Sequence, residues 1–206
     1  KIEQALKWQT KTLDLSAPEW EVPKRPRLTE LPDSIGDLSQ LESLNLSYNK
    51  LIELPESLIN LKRLHTLNIS HNRLNSLSKS FGQIKSLCII NLSNNTFSTV
   101  PEPLCKITKL KSLDISCNQL EILSESLEKL KQLEFLDISS NKLTKLPKAI
   151  IKLVNLQSLY ISFNHFSLLP EWIGELPLLQ ELYLTENQLT KLPEKIGRLS
   201  HLHLLD

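Results

Sequence analysis

Methionine is absent from the 206-residue sequence, and glycine, cysteine and aromatic residues are rare. Because even position 1 is a lysine, we expect the chain to be a processed form or an excised piece of a longer protein. The only four glycines, Gly36, Gly82, Gly174 and Gly197, all occupy one slot of the sequence repeat described below, so none is free to form a phosphate-binding loop. This scarcity excludes a nucleotide site of the P-loop or Rossmann type.

The sequence also lacks an excess of either charge and any long apolar run. Lysine and arginine sum to 24 against 23 aspartate and glutamate, which gives a net charge of +1 and no overall attraction to nucleic acid or anionic lipid. No run approaches the roughly 18 apolar residues of a membrane span, and the N-terminus has no signal-peptide core. We therefore expect a soluble protein with no nucleic-acid partner and no membrane partner.

The three cysteines, Cys88, Cys105 and Cys117, form an odd and scattered set. Such a set indicates reduced thiols and predicts a cytoplasmic location. The five histidines show no metal-ligand spacing with these cysteines, so we predict no structural zinc site. No other motif in the sequence implies a metal or a cofactor.

Leucine, by contrast, supplies 46 of the 206 residues and recurs with a fixed period. Columns of leucine and asparagine stay in phase 23 residues apart through seven full copies, from Leu41 to His201. The first full copy reads Leu41-x-x-Leu44-x-Leu46-x-x-Asn49-x-Leu51, followed by Leu54-Pro55-x-x-Leu58-x-x-Leu61. Leucines two residues apart predict a strand with one buried face, and the spacing of three after Leu-Pro predicts a short helical turn.

The asparagine of each copy is predicted to turn the chain and to bond backbone groups with a buried amide. Because no single copy can bury its leucines, neighbouring copies must stack, with their strands in parallel. Eight or nine strands at about 4.8 Å each give a concave sheet roughly 40 Å long. That shape is an open surface with no cleft.

These columns resemble the leucine-rich-repeat superfamily over roughly residues 10–206. Copies such as Leu192-Pro193-Glu194-Lys195-Ile196-Gly197-Arg198-Leu199 are similar to the 23-residue intracellular class found in Ras-pathway scaffolds, plant intracellular Ras-group proteins, Scribble-type scaffolds and bacterial arrays. That class mostly binds other proteins. The start of the chain also resembles bacterial arrays attached to Roco-type GTPase modules. Extracellular relatives usually carry cysteine-rich caps, which this sequence lacks.

We predict a single domain over residues 1–206. Residues 1–9 form an N-terminal cap helix, because Ile2, Ala5 and Leu6 have helical spacing. Residues 10–40 form a divergent first repeat with an insertion at about 16–27, residues 41–201 form the seven full repeats, and residues 202–206 begin a truncated last one. The edge formed by Leu182, Leu184 and Leu189 is expected to be poorly shielded, which predicts end-to-end self-association through an uncapped C-terminus.

Constellations that could support catalysis fail on geometry. His71 and Cys117 belong to strands about 10 Å apart, too far for a nucleophile and its base. Asp114 and Asp137 lie side by side on adjacent strands, where they could form an acid–base pair, a cation site, a partner contact or plain surface. We expect an open sheet to expose both carboxylates to water, which favours the last two readings.

The later copies place aromatic and acidic residues on a concave face that is otherwise small and polar. Aromatic side chains on an open surface are typical of interface hot spots, although they could also simply pack on each other. We name the following set the concave patch: Phe135, Tyr160, Phe163, Tyr183, Asp114, Asp137, Glu181 and Glu186. Its composition predicts a protein partner with an apolar anchor and a basic flank.

A second candidate is the basic segment Lys24-Arg25-Pro26-Arg27, with Trp20 nearby. It could contact phosphate or an acidic partner, or it could be an ordinary solvated loop.

The sequence therefore predicts an α/β fold, a right-handed, curved leucine-rich-repeat solenoid with a parallel concave sheet and short helical or 3-10 turns on the convex side. Its predicted function is that of a non-enzymatic recognition module or scaffold in intracellular signalling. The alternative is a regulatory or sensor array of a larger multidomain enzyme, such as a Roco-type GTPase or a kinase.

Overall fold

The computed structural model describes residues 2–18 and 26–206, and within them short strands alternate with short helices. Helix α1 spans Ile2–Trp8. The described strands β1 to β9 span Thr12–Asp14, Ser43–Asn45, Thr66–Asn68, Ile89–Asn91, Ser112–Asp114, Phe135–Asp137, Ser158–Tyr160, Glu181–Tyr183 and Leu204–Leu205. The described 3-10 helices η1 to η8 span Asp33–Asp37, Glu56–Asn60, Lys79–Gln83, Glu102–Lys106, Glu125–Lys129, Lys148–Lys152, Glu171–Glu175 and Glu194–Arg198.

The strands form one parallel sheet whose spatial order is the order of the chain, β1 to β9. Equivalent residues of successive repeats pair, so that Leu44 lies opposite Leu67 and Leu67 lies opposite Ile90. One repeat is therefore one turn of a solenoid, with the 3-10 helices on the return path. The predicted leucine-rich-repeat architecture is confirmed.

The core lies between the sheet and the 3-10 helices. Leu44 and Leu46 enter it from the strand side and Leu58 and Leu61 from the helix side, and none of the four is more than 1% exposed. Full burial of a leucine contributes about 1.5–3 kcal/mol, and each repeat covers its neighbours' leucines. Stacking of repeats is therefore the main source of stability.

The asparagine column forms a hydrogen-bond ladder beside this core. In the third full copy the amide nitrogen of Asn95 donates to the carbonyls of Ile69, Leu92 and Ser93 at 3.0, 3.0 and 3.2 Å. Its Oδ1 accepts the N–H of Leu74 at 2.9 Å. Because these partners lie in two successive repeats, the side chain joins them, and the predicted structural role is confirmed.

Short 3-10 helices follow the Leu-Pro steps, as predicted. Proline directly precedes six of the described 3-10 helices, where its fixed φ suits the entering chain. Two glutamates then connect a helix to the next one, because Glu125 accepts the N–H of Ala149 at 2.9 Å and Glu171 accepts the N–H of Lys195 at 3.0 Å.

At the N-terminal end, α1 covers the first repeat with Ala5, which is buried in the core. The middle of the predicted insertion, residues 19–25 with Trp20, Lys24 and Arg25, lies outside the described residues. Pro26 and Arg27 are described and precede the first full repeat.

The expectation for the C-terminal edge was wrong in part. Strand β9 pairs with β8, and the backbone N–H of Leu184 donates to the Asp206 carbonyl at 2.7 Å. Leu182 and Leu184 are consequently buried and Leu189 is half-buried, whereas Leu205 is 44% exposed. The two residues of β9 are enough to cover the leucines of the preceding repeat, because a full strand of this sheet has only three residues.

Candidate functional site

Three residues of the concave patch form an aromatic ladder across neighbouring strands. The Phe135 ring, at the start of β6, meets the Tyr160 ring, at the end of β7, edge-on with centroids 5.1 Å apart. Tyr160 in turn packs on Tyr183 of β8 at 4.2 Å with an interplanar angle of 56°. Both geometries are favourable for aromatic pairs, so the ladder is ordered before any partner arrives.

Glu181 fixes the middle of the ladder. Its Oε2 accepts hydrogen bonds from the Tyr160 hydroxyl and from Ser158 Oγ, each at 3.0 Å. Loss of solvent around the phenol, and then the hydrogen bond to this carboxylate, raise the pKa of Tyr160 well above its ordinary value. Glu181 was predicted as a partner contact, and the structure shows that its carboxylate orients Tyr160.

Phe163 stands apart from the ladder and is 56% exposed. It immediately precedes Asn164, the turn asparagine of its repeat, and its backbone is left-handed, with a φ of 54°. The equivalent residue of every full copy shares this conformation, and these residues are Tyr48, His71, Asn94, Cys117, Ser140, Phe163 and Glu186. The sequence did not predict this left-handed conformation, because only one of the seven residues is an asparagine, the non-glycine residue best suited to the left-handed region.

Phe163, Tyr160 and Tyr183 meet around a shallow depression of about 400 Å³. Asp137 and Asp206 also line it, so two carboxylates adjoin the aromatic surface. Sequence reasoning did not include Asp206, because the return of β9 beside β8 is needed to place it there. The depression therefore combines apolar rings with negative charge.

Asp114 and Asp137 are paired in register on β5 and β6, as predicted. The expectation that both are open to water was wrong, because each is half-buried and accepts local hydrogen bonds. Asp114 Oδ1 accepts from the N–H and hydroxyl of Ser116 at 3.0 and 2.7 Å, and Asp137 Oδ1 accepts from the N–H of Ser139 at 2.8 Å. Burial is the main cause that raises the pKa of Asp137, and the neighbouring Asp114 charge adds to it.

These turns belong to a column that recurs along the sequence. An asparagine or aspartate followed two residues later by serine is found in copy after copy, and its side chain accepts that serine's N–H. Tyr160 and Tyr183 replace the turn-forming residue in the later copies. The two tyrosines of the aromatic ladder thus occupy positions that form turns in the earlier copies.

Glu186 completes the acidic part of the concave patch one repeat beyond Phe163, and it is exposed. Within residues 2–18 and 26–206, no group of three or more histidine, cysteine, aspartate or glutamate side chains is arranged to hold a metal ion. No helix in the same ranges is long and apolar enough to cross a bilayer.

Models of known protein families match most of the chain. A model described as Leucine-rich repeat region matches residues 22–122 and 102–183, and a model described as Leucine Rich Repeat matches residues 178–199. No curated protein matches the sequence.

Solved structures of similar proteins extend the likeness. A leucine-rich-repeat protein of Leptospira interrogans is 31% identical with a TM-score of 0.85, and the match covers 100% of this chain and 57% of that one. An internalin, InlF, of Listeria monocytogenes is 26% identical (TM-score 0.74; 86% of this chain, 51% of that one). A protein described as a TDR receptor is 28% identical (TM-score 0.75; 98% of this chain, 39% of that one). The chain thus spans less than two thirds of the length of each of these three proteins.

Proposed function

Because the chain belongs to the leucine-rich-repeat family, whose members commonly bind other proteins, we propose that it is a protein-recognition module with its partner site on the concave face. The observation that carries the proposal is the ordered aromatic ladder beside an exposed Phe163. Tyrosine and phenylalanine supply large contact areas at little cost in conformational entropy.

The chemistry around the ladder selects the partner. Asp137 and Asp206 line the same depression as Tyr160 and Phe163, and Glu186 lies one repeat beyond. An apolar side chain of the partner would cover the rings, and lysine or arginine beside it would meet the carboxylates. Complementary charge of this kind increases association rates and discriminates against acidic competitors.

The internal packing of the rings favours binding. Phe135 and Tyr183 hold Tyr160 from two sides, and Glu181 holds its hydroxyl. A partner therefore meets side chains that have already lost their rotamer freedom, and less entropy is lost on association. The two readings of the aromatic cluster, internal packing and partner contact, are compatible in this arrangement.

Selection from a random-peptide library tests the proposal and does not require the natural partner to be identified. Peptides recovered on the wild-type array should carry one large apolar residue flanked by lysine or arginine, and should not be retained by Tyr160→Ala/Phe163→Ala. As a matched control, Trp8→Ala/Ile122→Ala removes two exposed apolar side chains remote from the concave patch and should retain them. Peptides without this composition, or equal retention by both double variants, would count against the site.

The cellular context is a separate part of the proposal. A cytoplasmic signalling scaffold and a sensor array of a larger enzyme require different neighbours in the reading frame, so the complete frame distinguishes them. In either context we propose that the array itself is non-enzymatic, since its surface is open and the aspartate pair is engaged in turns.

End-to-end self-association of this chain is a further proposal. Strand β9 is the outermost described strand at its end of the sheet, and Leu205 is 44% exposed there. Edge strands of this kind can pair with an equivalent edge. Sedimentation velocity over a hundredfold range of concentration should show a rising sedimentation coefficient, and a constant monomer value would contradict the proposal.

A further inference from the structure

Three cations form a column along the first repeats, next to the asparagine side chains that join successive repeats. Arg27, Lys50 and Arg73 each precede a residue whose backbone N–H donates to a ladder asparagine, at 2.7, 3.0 and 2.9 Å. The three residues therefore occupy the same slot of successive turns, spaced by about 5 Å of backbone per repeat. Only Arg27 of this column belongs to the basic segment of residues 24–27.

The column borders a depression of about 440 Å³, which we name the basic groove. One wall is a pair of stacked rings, Tyr48 and His71, with centroids 4.0 Å apart and planes within 11°. Burial lowers the pKa of His71, against the opposing effect of the Asp114 charge. The described residues that line the groove include no aspartate or glutamate, and they are Arg27, Tyr48, Asn49, Lys50, His71, Asn72, Arg73 and Asn94.

Two of the cations have no counter-ion among the described residues. Lys50 and Arg73 are exposed, and in the described part of the chain neither lies within ion-pair distance of a carboxylate. Elsewhere in the array some lysines are paired, such as Lys111 with Glu134 at 2.8 Å. The basic groove thus holds positive charge, on Lys50 and Arg73, that residues 2–18 and 26–206 do not neutralise.

We propose that the basic groove binds an acidic segment of a protein partner through oxyanions, carboxylate or phosphate, that contact Lys50 and Arg73. A guanidinium can pair with either a carboxylate or a phosphate through two parallel hydrogen bonds, and a lysine ammonium adds a point charge beside it. The site is separate from the concave patch and opposite to it in charge, so it does not depend on the function proposed above.

A protein segment fits the groove better than nucleic acid. Nucleic-acid-binding surfaces commonly neutralise about 6–10 phosphates, whereas the proposed contacts here are two cations, Lys50 and Arg73, on a chain of net charge +1. Two carboxylates at alternate residues of an extended segment lie about 6.8 Å apart, close enough to the roughly 5 Å backbone spacing between Lys50 and Arg73 for one carboxylate to reach each cation.

Fluorescence anisotropy with defined probes tests the proposal on the full chain. The probes are labelled hexaglutamate, a labelled peptide with two phosphoserines, hexalysine and a twelve-nucleotide single-stranded DNA. We expect one or both anionic peptides to bind, and Lys50→Ala/Arg73→Ala to weaken that binding at least about tenfold. Lys142→Ala/Lys145→Ala is the matched control, since it removes two exposed charges and Lys142 occupies the same slot three repeats beyond Arg73.

The control variant should bind within about twofold of wild type, because its charges lie outside the groove. A preference for hexaglutamate assigns carboxylate as the ligand, and a preference for the phosphopeptide assigns phosphate. The proposal is overturned if neither anionic peptide binds, if both double variants weaken binding equally, or if the DNA binds more tightly than either peptide.

Discussion

At the residue scale, single polar side chains hold the turns of this solenoid. Asn118 shows the pattern: its amide nitrogen donates to carbonyls of Leu92, Ile115 and Ser116 at 3.0–3.2 Å, and Oδ1 accepts the N–H of Phe97 at 3.0 Å. Removal of the amide would leave these backbone groups without a partner in a partly buried turn. The unsatisfied groups would then lower stability by more than the loss of one exposed bond.

Asn118→Ala should therefore lower the free energy of unfolding by about 1–3 kcal/mol. Lys131→Ala, an exposed change in the same repeat, should alter it by no more than about 0.5 kcal/mol. Urea denaturation followed by circular dichroism measures both. Equal midpoints for the two variants would refute the role of the amide.

Asp137 carries a different residue-scale prediction, because burial raises its pKa above the ordinary value of 3.8. The folded state binds this proton more tightly than the unfolded chain does. The free energy of unfolding consequently falls as pH rises from the unfolded pKa to the folded one, and the loss persists above it. Asp137→Asn keeps an acceptor for the Ser139 N–H without the buried charge.

We expect Asp137→Asn to be more stable than wild type at pH 7, with a difference that disappears as pH falls below about 3.8. Chemical denaturation at several pH values between 3 and 7 measures the difference. A variant that is less stable than wild type by the same amount at every pH would show that the burial of charge is not what matters at this site.

At the element scale, the 3-10 helices depend on glycine where two of them pack closely. A Cβ on Gly174 of η7 would overlap the backbone carbonyl oxygen of Lys195 in η8, whereas one on Gly197 of η8 would have no atom within 4 Å. The glycine slot in the sequence thus has a steric cause in η7. The same slot in η8 has no such constraint in this chain.

Gly174→Ala should therefore lower the free energy of unfolding by about 1–3 kcal/mol, because backbone must shift to admit the methyl group. Gly197→Ala adds the same methyl group in open space and should change stability by about 0.5 kcal/mol or less. Thermal unfolding of the pair measures the difference. Similar melting temperatures for the two variants would contradict the packing argument.

Elements that repeat could be predicted from the sequence, and contacts between unlike residues could not. The phase of Leu44, Asn49 and Pro55 predicts strand, turn and 3-10 helix, because every copy repeats the same environment. The bond from Tyr160 to Glu181 and the proximity of Arg27 to Arg73 involve residues that differ from copy to copy. Their placement depends on rotamers and on the return of each turn, which no periodicity encodes.

At the scale of the whole molecule, the solenoid separates its charges although their sum is nearly zero. The basic groove occupies the first repeats, and the acidic and aromatic concave patch occupies the last ones. A partner that contacts both surfaces would be fixed in one orientation along the array, because reversal would bring like charges together. Average composition conceals this polarity, whereas the stacking of repeats in chain order preserves it.

The central claim, that the concave patch binds a protein partner, is tested most directly by calorimetric titration of a selected peptide into three proteins. Against wild type, Tyr160→Ala/Phe163→Ala should lose about 2 kcal/mol of binding free energy, roughly 30-fold in Kd. Trp8→Ala/Ile122→Ala should remain within about 0.5 kcal/mol of wild type. Unchanged affinity for Tyr160→Ala/Phe163→Ala, with its circular dichroism spectrum identical to that of wild type, would contradict the account.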